Sequence, residues 1–592
     1  MNTLDNIYKT YSLYTIISAV VILSYLPTFT GGFILDDNDL IKNNKYITEI
    51  HSISSYLSQE DGVPDQMDLG VYHSGYYRPL MNLFYYIDYK VWGMKANGFR
   101  TTNVILHILC CIILFQLITL LLKDTRAAFW ATFLFAVHPV NSESISFIIS
   151  RNNIVVTIFI LFSLYCYIIS WEKDRIIPMV LAFISFTGAV FSKEFGITAL
   201  PVIFIYHRLL SQRKKHYFQE IISYIPFIFI LVIYFTLRSN VIGSSLSPFK
   251  TDQYWYRIFF VPYLIVWNLR LIFIPHELHI FNIFYPSSIF KWQAITPIGI
   301  FCVISYLIWS NRKNKILLFS CFSFFISISP VLNLVASASD TPGFIAMRWL
   351  YLPMTFIILW IAWYIKKIFK VKKTITTILL CIGIVYFCVY SYILNRTLWY
   401  NEETLYQQEI LHYKNYRFAG GYANILLDKK SYREAEKYFM IAINKYPNNV
   451  NNYINYAFYL IEIGRPDVAI SYLYEAKQLS MTNEQHGHWF NNMGMAMSES
   501  GDQKGALKNF KKAVIFAPRK GEFWANLGST YGSNGDYENA VIALKKGLTI
   551  SPDLKSLQEN LALTYRNMKN SSDNSDILKK TSQEQIEADE NI

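Results

Sequence analysis

The sequence predicts an all-α chain in two parts, a polytopic membrane helical domain followed by a helical-repeat solenoid. Three observations carry that prediction. Hydrophobic residues make up 53% of the 592 and charged residues only 16%, with a mean hydropathy of +0.23, too apolar for a soluble protein of this length. Long apolar runs recur as far as residue 394 and then stop. Beyond them the composition turns to Tyr, Asn, Lys and Glu, with alanines at a regular spacing. A chain this long is expected to hold at least two domains.

A bilayer-spanning helix needs roughly 20 mostly uncharged residues. Clear candidates are Tyr11 to Thr28, Thr102 to Leu122, Asn153 to Trp171, Ile221 to Leu237, Thr296 to Trp309, Ile316 to Leu332, Trp349 to Ile365 and Thr374 to Leu394. Two further runs are interrupted, Ala127 to Ile149 by "HPVNSES" and Ile177 to Leu209 by "SKEFG"; each reads as two short helices or a helical hairpin. The N-terminal run is long and lacks a basic start and a small-residue cleavage site, which reads as an anchor rather than a signal peptide.

The formal charge of +12 would suggest nucleic acid in a soluble protein, but here the basic residues sit at the ends of apolar runs. "KDTR", "EKDR", "HRLLSQRKKH", "NRKNK" and "KKIFKVKK" mark the inner side of the membrane by the positive-inside rule. Threading the chain through them puts residues 31–100, "HPVNSES", "SKEFG" and 238–256 outside. The amphipathic stretch Tyr256 to Pro275 then lies at the interface or re-enters. About eleven crossings result, with the N-terminus cytoplasmic and everything after Leu394 periplasmic, extracellular or luminal. All seven cysteines fall in apolar runs, so neither a disulfide framework nor a thiolate metal site is suggested.

After Asn395 the repeats declare themselves. Ala435, Ala469, Ala506 and Ala540 fall in one column, followed by Phe439, Leu473, Phe510 and Leu544, then Ala442, Ala476, Ala513 and Gly547. Ala423, Ala457, Gly494 and Gly528 are the small residues of the preceding helices. The period is about 34 residues, with about three extra near "MTNEQHGH", which is the tetratricopeptide signature. About four such hairpins stack into a solenoid, and Leu557 to Tyr565 caps the stack. The expected division is a membrane domain over 1–395, repeats over 396–569 and a disordered polar tail over 570–592. The default reading of such an array is a protein-binding groove.

Chemistry belongs where charge enters a membrane domain, because burying it in lipid costs a few kcal/mol per residue. The charged and polar residues gather on the outer side: Asp36, Asp37 and Asp39 in "GGFILDDNDLI", Arg78, His138, Asn141, Glu143, Arg151, Lys193, Glu194, Arg238 and Arg348. A carboxylate can remove a proton, and several cations can hold a phosphate at headgroup depth, Arg through its fork and Lys as a point charge. Each also has a plainer account. The aspartates suit a solvated loop or helix cap, and Arg78 could simply snorkel. His138, Glu143 and Arg151 suit a hydrogen-bonded cluster at a helical break, Lys193 and Glu194 a mutual ion pair, and Arg348 an interfacial anchor. No spacing matches a known metal motif, so a divalent metal is unsupported.

The ordered set "DDND", "YYRPLMNLFYYIDYKVWGMKANGFRTTNVILHILCCIILF", "FAVHPVNSESISFIISRNN", "FSKEFGITALPVIFIY" and "RWLYLP", followed by tetratricopeptide repeats, resembles the transmembrane and tetratricopeptide-repeat O-mannosyltransferases. These are polytopic glycosyltransferases of the GT-C class. The resemblance implies a GT-C-like membrane domain and a sugar donor on a polyprenyl phosphate. It also implies a Ser or Thr acceptor presented by the repeats, and a catalytic base in the first outside loop, here Asp36 or Asp37. Arg78, His138, Glu143, Arg151, Lys193, Glu194 and Arg348 are then candidates for binding substrate or lipid phosphate. A neighbouring carboxylate would raise the pKa of one aspartate and suit it to act as a base, with Asp36 slightly favoured. Nucleic acid is not an expected partner.

Three features qualify the resemblance. The first outside loop carries a long polar insertion, "TEIHSISSYLSQEDGVPDQMDLGVYHSG", the repeats are few, and the Asn, Lys and Ile richness suits a bacterial inner-membrane protein, whose donor would be an undecaprenyl-phosphate sugar. Two rival functions remain at this point. An O-antigen ligase or polymerase would place its key Arg and His in a large late loop, whereas loop 333–347 is short. A membrane-tethered scaffold for envelope or secretory proteins would leave the loop charges dispensable.

Overall fold

The computed structural model describes residues 2–48, 51–58, 76–213, 217–242, 251–280, 282–283, 292–332 and 344–570. Most of the first-loop insertion, part of the basic loop 207–216, most of loop 333–347 and the tail beyond 570 lie outside the described residues. The chain divides into two compact units, Met1–Glu409 and Ile410–Ile592. Apart from a two-residue antiparallel pairing of Asn282–Ile283 with Phe344–Ile345, the described architecture is helical.

Among the described residues of the first unit five helices are long and apolar enough to cross a membrane: Ala96–Leu122, Ile148–Lys173, Phe218–Ile242, Met347–Phe369 and Lys373–Thr397. Shorter apolar helices cover Tyr11–Ser24, Ile176–Ser192, Phe260–Phe273, Ile295–Ser310 and Lys315–Val331. Burial ranks them. The apolar window of Ile148–Lys173 is 78% buried, while those of Phe218–Ile242 and Lys373–Thr397 are only 17% buried. The first is therefore the centre of the bundle, and the other two expose isoleucine, valine and phenylalanine faces suited to lipid.

Both interrupted runs break where the polar residues lie. Thr125–Ala136 ends before Pro139, and short turns carry the chain through Ser142–Ser146 to Arg151. Ile176–Ser192 ends at Lys193, and one 3-10 turn, Glu194–Thr198, leads into Ala199–Leu209. Polar groups and irregular backbone at membrane depth are tolerated where protein surrounds them, and both breaks are largely buried.

The second unit is a stack of helical hairpins: Ala419–Asp428 with Tyr432–Lys445, Val450–Glu462 with Pro466–Lys477, Asn483–Glu499 with Gln503–Phe516, and Gly521–Ser533 with Tyr537–Ile550. A further helix covers 555–570. Ala435, Ala469, Ala506 and Ala540 are wholly buried. At Gly528 a Cβ would lie 2.5 Å from Leu544, which explains the small residue in that column. The extra residues near "MTNEQHGH" extend one helix, Asn483–Glu499, whose start is fixed by a capping box between Thr482 and Gln485.

Candidate active site

The site is built on the first loop, which leaves the N-terminal helix through a 3-10 turn at Leu26–Thr30. The Gly32 N–H donates to the Tyr400 carbonyl at 2.9 Å. Arg100, in the first turns of Ala96–Leu122, donates through Nη1 to the Trp399 carbonyl at 2.7 Å and through Nη2 to the Gly32 carbonyl at 2.5 Å. These bonds leave no space at Gly31, where a Cβ would lie 2.0 Å from Arg100 Nη1 and 2.8 Å from the Tyr400 carbonyl oxygen. The buried guanidinium is held at both ends and the carbonyl is backbone, so neither can yield cheaply. Gly31→Ala is expected to destabilise the first unit by about 1–3 kcal/mol, read as a lower Tm of the purified chain.

Leu35 then adopts a left-handed backbone, φ +46°, and the two aspartates after it face opposite environments. Asp37 is wholly buried. Its carboxylate accepts from the N–H groups of Ile34 at 3.3 Å, Ile148 at 3.4 Å and Ile149 at 2.9 Å. Burial pushes its carboxyl up to about 7, against the opposing pull of Arg100 and those three N–H groups. Asp36 lies at the surface. Enough water is still displaced around it to raise its carboxyl above the ordinary range, with Arg348 pulling it down and Asp39 adding to the rise. The pKa rise at Asp37 thus comes from burial rather than from its neighbour in sequence.

Asp36 lies within the field of Arg348, and Arg348, Glu143, Lys193, Glu194 and Arg78 form an alternating series of charges. Glu143, fully buried, accepts from the Arg348 backbone N–H at 2.9 Å and pairs with its guanidinium. Arg78, just before the helix Pro79–Trp92, grips Glu194 through two bonds of 3.2 and 2.9 Å. Burial raises the Glu194 carboxyl, but Arg78 and Lys193 outweigh it and leave it below its ordinary value. Lys193 lies between the two pairs, its ammonium donating to Asn152 Oδ1 at 3.3 Å and to Asn153 Oδ1. Burial, then Arg78 and Arg348, drive its pKa well below the usual lysine range while Glu194 and Glu143 oppose them. Glu194 therefore pairs with Arg78, and the Lys193 ammonium rests on two asparagine side chains.

His138 and Arg151 are engaged in other work. His138 is buried against Phe387, with ring centroids 4.6 Å apart. Its Nε2 faces the Ile272 carbonyl at 2.9 Å while Nδ1 accepts from the Val140 N–H at 3.3 Å, an arrangement that requires the proton on Nε2. Burial lowers its pKa to about 4, so it stays neutral. Arg151, wholly buried, pairs with Asp88 and donates to Asn103 Oδ1 at 2.5 Å and the Phe99 carbonyl at 2.7 Å. That arrangement clamps the first turns of two helices together.

Several participants were not singled out from the sequence. Arg100 and Asp88 were legible as charges flanking apolar runs. Tyr234 and Glu402 gave no sequence signal. Tyr234, on the helix Tyr217–Ile242, is wholly buried and its hydroxyl has no hydrogen-bond partner, although it lies within the fields of Glu194, Arg238 and Arg78. One turn on, the Nε of Arg238 is likewise buried without a partner. Among the described residues no group of three or more His, Cys, Asp or Glu side chains is arranged to hold a metal ion.

Residues 77–238 match the family described as dolichyl-phosphate-mannose-protein mannosyltransferase, and residues 521–554 match the tetratricopeptide repeat. The first match contains Arg78, Glu143, Lys193, Glu194 and Tyr234; Asp36 and Arg348 lie outside it. The protein O-mannosyl-transferase TMTC3 of Homo sapiens is 25% identical over 500 residues, covering 74% of this chain and 52% of its own. The Caenorhabditis elegans protein O-mannosyl-transferase F38B6.6 is 26% identical over 392 residues, covering 63% of this chain and 54% of its own. The chain thus spans about half the length of the curated relatives it matches. The crystal structure of YrrB, a TPR protein with an unusual peptide-binding site, is 22% identical and covers 33% of this chain and 96% of its own, with a TM-score of 0.22. This multi-pass membrane chain therefore joins a segment that matches the dolichyl-phosphate-mannose-protein mannosyltransferase family to tetratricopeptide repeats, and is a distant homologue of the TMTC O-mannosyl-transferases.

Proposed function

We propose that the first unit is an inverting glycosyltransferase that moves a hexose from a polyprenyl-phosphate donor to a Ser or Thr hydroxyl of a protein held by the repeats. One observation carries the reading: an exposed carboxylate, Asp36, lies within the field of Arg348, which pairs with buried Glu143 in a largely buried series of cations and carboxylates. Asp36 removes the acceptor proton, the hydroxyl oxygen attacks the anomeric carbon from the face opposite the leaving group, and the bond to the phosphate breaks. The departing phosphate gains negative charge, which fixed cations stabilise best where water is excluded. Arg348, Arg78 and Arg238 supply that field. Lys193, whose charge is disfavoured by its present surroundings, becomes easier to protonate when an anion arrives.

Mannose is the first sugar to test, because the curated relatives are protein O-mannosyl-transferases. The reaction is placed on the outer or luminal side of the membrane, with the N-terminus cytoplasmic and the repeats outside. The residue composition favours a bacterial inner membrane and an undecaprenyl-phosphate donor.

The test is intact-mass spectrometry of envelope and secreted proteins from cells making the wild-type chain or the Asp36→Asn chain at equal membrane levels. The reading requires a hexose increment at specific Ser or Thr sites that vanishes with the substitution. An unchanged proteome, with a phenotype that follows the repeats alone, would instead indicate a scaffold. Tyr234 supplies a second prediction. Its hydroxyl has no internal bond to lose, so Tyr234→Phe is expected to leave Tm unchanged or slightly higher. If that hydroxyl donates to the donor phosphate, the donor KM rises by roughly tenfold, the scale of one hydrogen bond to a charged group.

A further inference from the structure

We infer that Glu402 is a positioning residue that holds the backbone around Asp36 in its working shape; the catalytic part of this inference rests on the reading of Asp36 as the base. One carboxylate oxygen of Glu402 accepts from the Leu35 N–H at 2.9 Å and from Asn38 Nδ2, also at 2.9 Å. These donors lie one residue before and two residues after Asp36, so a single acceptor spans the base. The bond to Leu35 also falls where the backbone is least comfortable. A leucine at φ +46° crowds its Cβ against the following carbonyl, and such a conformation persists when its surroundings over-determine it.

The rest of the segment strengthens the case. Trp399 and Tyr400, just before Glu402, already hold Arg100 and Gly32 through their carbonyls. Asp37 is fastened from the other side by Ile148 and Ile149. Between these two fixed points, the Leu35–Asn38 turn determines whether Asp36 faces outward. Glu402 needs only an acceptor oxygen for this role, and its negative charge is not required. That distinguishes positioning from direct participation in proton transfer.

Three variants of the full chain in nanodiscs test the inference: Glu402→Ala, Glu402→Gln, and Leu35→Asn combined with Glu402→Ala. Backbone hydrogen exchange over residues 31–44 is measured first, then kcat and donor KM with undecaprenyl-phosphate mannose and with dolichyl-phosphate mannose, each with an acceptor found by the mass comparison. Glu402→Ala is expected to speed exchange across the turn and to lower kcat about 10- to 100-fold, the scale set by small misplacements of a catalytic group, with donor KM within about twofold. Glu402→Gln, which keeps the acceptor oxygen, stays close to wild type. Leu35→Asn recovers part of the lost kcat, because Asn tolerates the left-handed region better than Leu. Unchanged exchange in Glu402→Ala overturns the inference. So does Glu402→Gln proving as slow as Glu402→Ala, or a Glu402→Ala kcat equal to wild type. If wild type transfers nothing while Glu402→Ala still loosens the turn, the transferase reading fails and the structural role of Glu402 stands.

Discussion

Asp36→Asn is expected to reduce sugar transfer by roughly 10²- to 10⁴-fold, the usual contribution of a positioned general base, while leaving the thermal stability of the chain unchanged. Asp36 is exposed, and the amide has the same shape, so no packing is lost. The amide cannot accept the acceptor's proton, and the loss should therefore fall on kcat with donor KM little altered. The pH profile gives an independent check. Burial and Asp39 raise the Asp36 carboxyl while Arg348 lowers it, leaving it net above its ordinary value. Wild-type transfer should therefore fall on the acid side as this carboxylate is protonated. Residual transfer by Asp36→Asn should lack that limb.

Asp37→Ala is expected to have the opposite profile, with stability lost first and activity only as a consequence. Removing the carboxylate strands the N–H groups of Ile34, Ile148 and Ile149 and deprives Arg100 of its nearby anion. Breaking a buried charged arrangement by deleting one partner costs roughly 3–5 kcal/mol. Asp37→Asn keeps one acceptor oxygen and should retain more stability. The sign of the pH effect follows from the raised carboxyl, which moves from 3.8 to about 7 on folding. Between those values the native state binds more protons than the unfolded state, so this group's contribution is full below about pH 4 and is lost as pH rises through about 7. Thermal unfolding across that window should show a downward slope in wild type that is absent from Asp37→Asn.

These two outcomes separate adjacent residues that look alike in sequence. "DDND" marks the loop because three carboxylates in four residues after an apolar run are unusual, but the left-handed turn at Leu35 that sends Asp36 and Asp37 apart has no sequence signal, since leucine is a poor residue for it. The membrane helices and the repeats were legible because both depend on periodic burial, of roughly 20-residue spans in one case and of small residues every 34 or so in the other. Arg78, Glu143, Lys193, Glu194 and Arg348 were legible as charges at membrane depth. Their pairing was not. Arg78 and Glu194 are 116 positions apart, and Glu143 and Arg348 are 205 apart, and only the tertiary fold decides such partners. Glu402 was hidden for a related reason: its carboxylate resembles any other at the start of a soluble segment until the chain folds it back onto Leu35.

The most direct test of the central claim is reconstitution of the purified wild-type and Asp36→Asn chains in liposomes containing dolichyl-phosphate mannose or undecaprenyl-phosphate mannose, with the acceptor protein supplied outside. Release of polyprenyl phosphate is followed together with the acceptor's mass and the anomeric configuration of the attached sugar. The account predicts equal amounts of polyprenyl phosphate and hexosylated acceptor from wild type, inversion at the anomeric carbon, and near-background rates from Asp36→Asn. Transfer by Asp36→Asn at the wild-type rate, or retention of configuration, would contradict it.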